Sequence, residues 1–105
     1  MTQPVPPSTV RVLKRLGSHI SLARRRRRWS QKDMAVQIGA SVSTVRRLES
    51  GDPGIALQHL VGVMVAFGEM DQLNNLLDTS RDTVGLLVQD GELPKRVRAR
   101  SSNER

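Results

Sequence analysis

The sequence predicts an all-α domain with short connections, and three observations carry that prediction. Apolar residues recur at steps of three and four in successive segments, as one face of a helix requires. Ser8, Ser30 and Ser41 stand where three of those segments start, and Gly39, Gly51 and Gly68 where three stop, the positions of helix caps. The stretches between segments are only a few residues long, as in helical bundles.

Residues 1–7, with Pro4, Pro6 and Pro7, read as a flexible lead. Ser8 is an N-cap candidate for a helix carried by Val10, Leu13, Leu16 and Ile20. Gly17 and Ser18 interrupt its middle, so the segment is one helix or two. It runs into Arg24, Arg25, Arg26, Arg27 and Arg28. Five consecutive positions circle a helix, so at least one of these arginines faces inward and needs an acidic partner. Ser30 then opens Gln31-Lys32-Asp33, a capping-box start with Asp in place of Glu. Met34, Ala35 and Ile38 share one face of the short helix that follows, which stops at Gly39. Ser41 caps the next helix, whose inner face is Val45 and Leu48 and whose end is Gly51, with Pro53 beyond. Ala35 and Gly39 are small where these two helices must cross. The pattern is a helix, a tight glycine-containing turn and a second helix.

Residues 57–67 form an apolar helix on Leu57, Leu60, Val61, Met64, Val65 and Phe67, with Ala56 a poor residue at its cap. Met70, Leu73, Leu76 and Leu77 define a fifth helix. After a turn at 78–82, Val84, Leu87 and Val88 mark a short amphipathic piece ending at Gly91, helix or strand by pattern alone. Pro94 opens a basic tail with Lys95, Arg96, Arg98 and Arg100. The organisation is therefore a lead at 1–7, a folded domain at 8–68, a helical segment at 69–92 and a tail at 93–105.

Charge divides the 105 residues in the same way. The net +7 consists of +10 over residues 11–47, −7 over 48–94 and +4 over 95–105. Blocks of this kind point to a polyanion for one part and a different partner for the other. Other classes fall away. Cys is absent and His19 and His59 stand alone, so no metal site is expected. No catalytic spacing or phosphate-cradling glycine loop occurs, so the expectation is a non-enzyme without cofactor. No apolar run is long enough for a membrane span and the N-terminus lacks a signal-peptide pattern, which leaves the cytoplasm as the expected location. Trp29 and Phe67 are the only aromatics, which disfavours a base-stacking RNA platform.

The segments Trp29–Ala35, Ile38–Ser41 and Ser43–Gly51 resemble the helix-turn-helix of the phage-repressor (Xre/Cro) family over about residues 18–68. The resemblance implies a five-helix lambda-repressor-like domain with an N-terminal helical extension and a basic C-terminal tail. Its second short helix would enter the major groove of double-stranded DNA. The outward residues there are Val42, Ser43, Arg46 and Arg47. Either arginine could fork onto guanine O6 and N7 or grip a phosphate. Val42 would meet a thymine methyl, and Ser43 a base or the backbone. By position in the family, Gln31 and Ser50 touch the DNA backbone, with Lys32 and Arg28 beside them and Thr44 packing or touching phosphate. The resemblance also pairs Arg24 with Glu49 in an internal salt bridge.

Gly51-Asp52-Pro53, Ala66-Phe67-Gly68, Ser80-Arg81-Asp82 and Leu93–Arg98 are similar to HipB-like antitoxins, regulators found beside HipA-type kinase toxins. That similarity implies a homodimer that represses its own operon on nucleoid DNA and binds the kinase. Leu73, Leu76, Leu77, Val84, Leu87 and Val88 are the candidate dimerisation residues. Two other readings stay open: a protein-interaction module whose helix-turn-helix does not read DNA, and a basic RNA-binding protein.

Overall fold

The computed structural model describes residues 4–78 and 82–89, and among these it contains six helices and no strand. The chain divides into two compact units, Met1–Leu73 and Asn74–Arg105. The basic tail at 93–105 and Gly91 lie outside the described residues.

Helix α1 spans Pro7–Arg26 without a break, so the Gly17-Ser18 pair does not divide it. It starts one residue before the expected cap. Pro6 flanks it with no side-chain cap, and Ser8 lies inside the first turn. Proline suits that start because its ring presets the helical φ and it has no N–H to leave unsatisfied.

Helix α2, Gln31–Ile38, opens on a complete capping box. The Asp33 N–H donates to Ser30 Oγ at 3.0 Å, and the Ser30 N–H donates to Asp33 Oδ2 at 2.8 Å. Two otherwise orphaned N–H groups are thereby satisfied. Gly39 ends α2 in the left-handed region at φ 65°. No atom lies within 4 Å of where its β-carbon would stand, so Gly39 serves the turn and not a close crossing, contrary to the sequence expectation. Helix α3, Val42–Ser50, is capped by Ser41 Oγ, which accepts from the Thr44 N–H at 3.1 Å.

The close crossing lies elsewhere, between α1 and the end of α3. A β-carbon on Gly17 would come within 2.6 Å of the Glu49 carbonyl oxygen. One on Gly51 would come within 2.7 Å of the Leu13 carbonyl oxygen. Gly51 also has φ 77°, so both space and backbone conformation demand glycine there.

Helix α4, Leu57–Ala66, begins at Ala56 without a side-chain cap. Its fully buried residue is Val63, whereas Leu57 is 73% exposed and Val61 and Val65 also face solvent. The helix carries no charged residue, so its polarity pattern does not distinguish inside from outside. The core joins Ile20, Met34, Ala35, Val45, Leu48 and Val63, with Leu16, Trp29, Ile38, Leu60 and Phe67 packed against it. Met34, Val45 and Val63 are fully buried, each contributing about 1.5–3 kcal/mol relative to exposure.

Helix α5, Met70–Asn74, is shorter than the spacing predicts. Leu76 and Leu77 follow it in a turn, and Leu77 adopts φ 59°, which no helix can continue through. In the second unit the open segment resolves as helix α6, Thr83–Gln89. Asp82 caps it, its Oδ1 accepting from the Gly85 N–H at 2.9 Å.

Candidate nucleic-acid interface

The pair α2 and α3 is positioned by the buried Met34, Ala35, Val45 and Leu48. That packing turns Ser43, Arg46, Arg47 and Ser50 of α3 outward, all exposed. Val42 behaves differently from expectation: it is half-buried and packs against the core. At 100° per residue Val42 shares the inward side with Val45, which withdraws it from the outward face. Thr44 is half-buried, its Oγ1 3.1 Å from Ser41 Oγ. The Ser50 hydroxyl donates to the Arg47 carbonyl at 2.9 Å.

Below this face Glu49 joins three elements. Arg24 Nε donates to Glu49 Oε2 at 2.6 Å and its Nη2 to Oε1 at 3.1 Å. Arg24 Nη1 donates to the Trp29 carbonyl at 2.7 Å, fixing the link from α1 to α2. The two side chains are only 11% and 8% exposed. A guanidinium so enclosed needs this forked partner, because an unpaired charge there would be costly. Gln31 Nε2 donates to Glu49 Oε1 at 3.1 Å, so the glutamine at the start of α2 is held by the same carboxylate. Among the described residues its second amide N–H and its amide oxygen have no hydrogen-bond partner.

The arginine run separates by environment. Arg24 is internal. Arg27 lies 4.4 Å over the Phe67 ring, and donates from Nη1 to the Ala23 carbonyl and from Nη2 to the Phe67 carbonyl. Arg25, Arg26 and Arg28 are exposed, as is Lys32 at the start of α2. Arg28 sits at φ 59° where the chain leaves α1. On α1, Arg11, Lys14, Arg15, Arg25 and Arg26 fall within an arc of about 120°, opposite the buried Ile20. Angular addition would have found this basic arc from the sequence; the separate blocks at 11–15 and 24–28 hid it.

Two features were missed altogether. Arg27 on Phe67 joins residues 40 apart and had no local signal. Asp52, just past α3, pairs with Arg47: Asp52 Oδ2 accepts from Arg47 Nε at 2.6 Å, and its Oδ1 accepts from the Gly54 N–H at 2.7 Å. The Arg47 hydrogen bond, followed by that of the Gly54 N–H, holds the Asp52 carboxyl below its ordinary value. Of the candidate dimerisation residues, Leu73 is half-buried on α5, Leu76 and Leu77 are exposed in the following turn, and Val84, Leu87 and Val88 are exposed on α6. Among the described residues no group of three metal-binding side chains occurs, and no helix is long and apolar enough to cross a membrane.

This geometry, two capped short helices joined by a glycine turn with a polar, basic outward face on the second, defines a helix-turn-helix. Residues 15–87 match the helix-turn-helix domain family, which is more than half of the chain, and the chain belongs to that family. Neither a curated protein nor a solved structure matches it. The family supports a DNA-binding regulator.

Proposed function

We propose that this protein is a sequence-specific transcriptional repressor that binds double-stranded operator DNA as a homodimer in the bacterial cytoplasm. The observation that carries the reading is the exposed row Ser43, Arg46, Arg47 and Ser50 on α3, beside Gln31 and Lys32 at the capped start of α2. The N-terminus of α2 presents unsatisfied N–H groups and a partial positive charge, which suits a phosphate next to the groove. Pairing two copies doubles the phosphate contacts and sets two α3 helices on a palindrome. Leu73 of the first unit and Leu76, Leu77, Val84, Leu87 and Val88 of the second are the proposed pairing residues; the latter five are exposed apolar side chains.

The role we assign within this class is that of an antitoxin that represses its own operon and binds a HipA-type kinase. Its support is the similarity of Gly51-Asp52-Pro53, Ala66-Phe67-Gly68 and Leu93–Arg98 to HipB-like regulators. A gel shift with DNA from upstream of the gene, against random competitor, tests the DNA reading. Retention of the upstream complex under competitor supports it; equal affinity for both sinks it. Co-purification with the product of a neighbouring kinase-like gene tests the antitoxin role, and a kinase that elutes apart from this chain removes it.

A further inference from the structure

We propose that Asp52 is a positioning residue that sets the Arg47 guanidinium to read a guanine in the major groove. The inference rests on the DNA-binding reading above and assigns a specificity role to a residue outside the recognition helix. Asp52 is tied to the loop between α3 and α4 by the Gly54 N–H, 2.7 Å from its Oδ1. Its own N–H donates to the Arg47 carbonyl at 3.0 Å. Its other oxygen holds Arg47 Nε at 2.6 Å, so both backbone and side chain of Arg47 are anchored to one loop.

The chemistry follows from which edge of the guanidinium is used. Five N–H groups lie in one plane, and engagement through Nε leaves the end bearing Nη1 and Nη2. A forked pair of donors matches guanine O6 and N7. A phosphate contact gains chiefly from charge, and a carboxylate at 2.6 Å offsets most of the arginine's charge. The pairing thus weakens Arg47 as a phosphate clamp while fixing its direction as a donor. Half of the Arg47 side chain remains exposed. Arg46, its neighbour, has no such carboxylate among the described residues. The Asp52 carboxyl is held below its ordinary value, so it is ionised at neutral pH and the anchor is intact there.

The test is selection of duplexes from a random-sequence library by the full chain, repeated with Arg47→Ala, Asp52→Asn and the double variant. Asn keeps an oxygen for the Gly54 N–H but removes the charge that holds Nε, and thermal melts followed by circular dichroism verify folding. The wild type should enrich a motif, and Arg47→Ala should lose a guanine preference at one base pair of it. Asp52→Asn should relax that same pair by roughly fivefold or more. It should spare the other positions and add nothing in the Arg47→Ala background. The inference is overturned if Asp52→Asn leaves that pair unchanged or shifts affinity for all sequences by one factor, since Asp52 is then a mere countercharge. It is equally overturned if the variant worsens binding in the absence of Arg47, since Asp52 then acts through the loop. A wild type that enriches no motif overturns this inference and the DNA reading together; an enriched motif indifferent to Asp52 overturns this inference alone.

Discussion

Gly17 of α1 lies so close to Glu49 of α3 that a β-carbon on the glycine would stand 2.6 Å from the Glu49 carbonyl oxygen and 2.9 Å from its carbonyl carbon. Backbone meets backbone at this crossing, and no side chain can rotate away to relieve it. The same contact sets the depth at which α1 sits behind α3, and the Arg24–Glu49 salt bridge joins the same two helices.

Gly17→Ala separates two physical effects of opposite sign. Mid-helix Gly→Ala gains about 1 kcal/mol by helix propensity. Overpacking against a rigid neighbour costs about 1–3 kcal/mol. Because the clashing atoms belong to the backbone of Glu49 and Gly51, the steric term should win and the urea midpoint should fall. A raised midpoint would show that α1 can shift away without loss.

Glu49→Ala should be strongly destabilising. It strands the Arg24 guanidinium, whose side chain is 11% exposed, at a cost of about 3 kcal/mol, the low end for a broken buried pair. It also frees Gln31, so DNA affinity should fall beyond what unfolding explains. The double variant Arg24→Met/Glu49→Leu removes both charges and should recover much of the stability without restoring the Gln31 tether. Equilibrium unfolding and a DNA titration on the same samples distinguish the two losses. Full recovery of affinity in the double variant would exclude a role for the tether.

Ser30→Ala should lower stability by about 1 kcal/mol, the usual cost of an N-cap. Its reciprocal partner gives the protein an acid limit. The Ser30 N–H and then the Ser30 hydroxyl hold the Asp33 carboxyl below its ordinary 3.8. For a carboxyl depressed in the folded state, the stabilisation is fully present above the ordinary value and is lost as pH falls through the folded one. Unfolding midpoints should therefore be insensitive to Asp33 from neutral pH down to about 4 and should decline below that. Asp33→Asn should remove part of that decline; an unchanged acid profile would show that the box contributes nothing there.

The elements whose signals are local were legible in the sequence. The capping box at Ser30 and Asp33, the Ser41 cap and the glycine stops at Gly39 and Gly51 all act within four residues, and each appears where the residues place it. The start of α1 was misread because Ser8 is a better cap than Pro6, while Pro7 is a better first helical residue. The inward side of α4 was illegible because a helix without charge has no polar face to orient it. Within the site, the outward direction of Ser43, Arg46 and Arg47 followed from periodicity. Val42 did not, since one step along the helix moves a residue by 100° and carries it to the core. Asp52 on Arg47 depends on how the loop returns after α3, which no spacing rule contains.

Arg46 and Arg47 are adjacent and chemically identical, yet the structure gives them different surroundings, and their variants should differ accordingly. Arg47 shares its charge with Asp52; Arg46 is exposed and enters no salt bridge among the described residues. An uncompensated cation at this face gains most from the phosphate backbone, whose contacts release counterions and carry no sequence information. Arg46→Ala should therefore weaken binding to every duplex by a similar factor and reduce the slope of log affinity against log salt by about 1. Arg47→Ala should change that slope less and base preference more. Affinities for the selected duplex and for an unrelated one, measured from low to moderate salt, provide both readouts. If Arg46→Ala instead relaxes a single base pair and leaves the salt slope intact, Arg46 is the base reader and the charge argument for the pair is wrong.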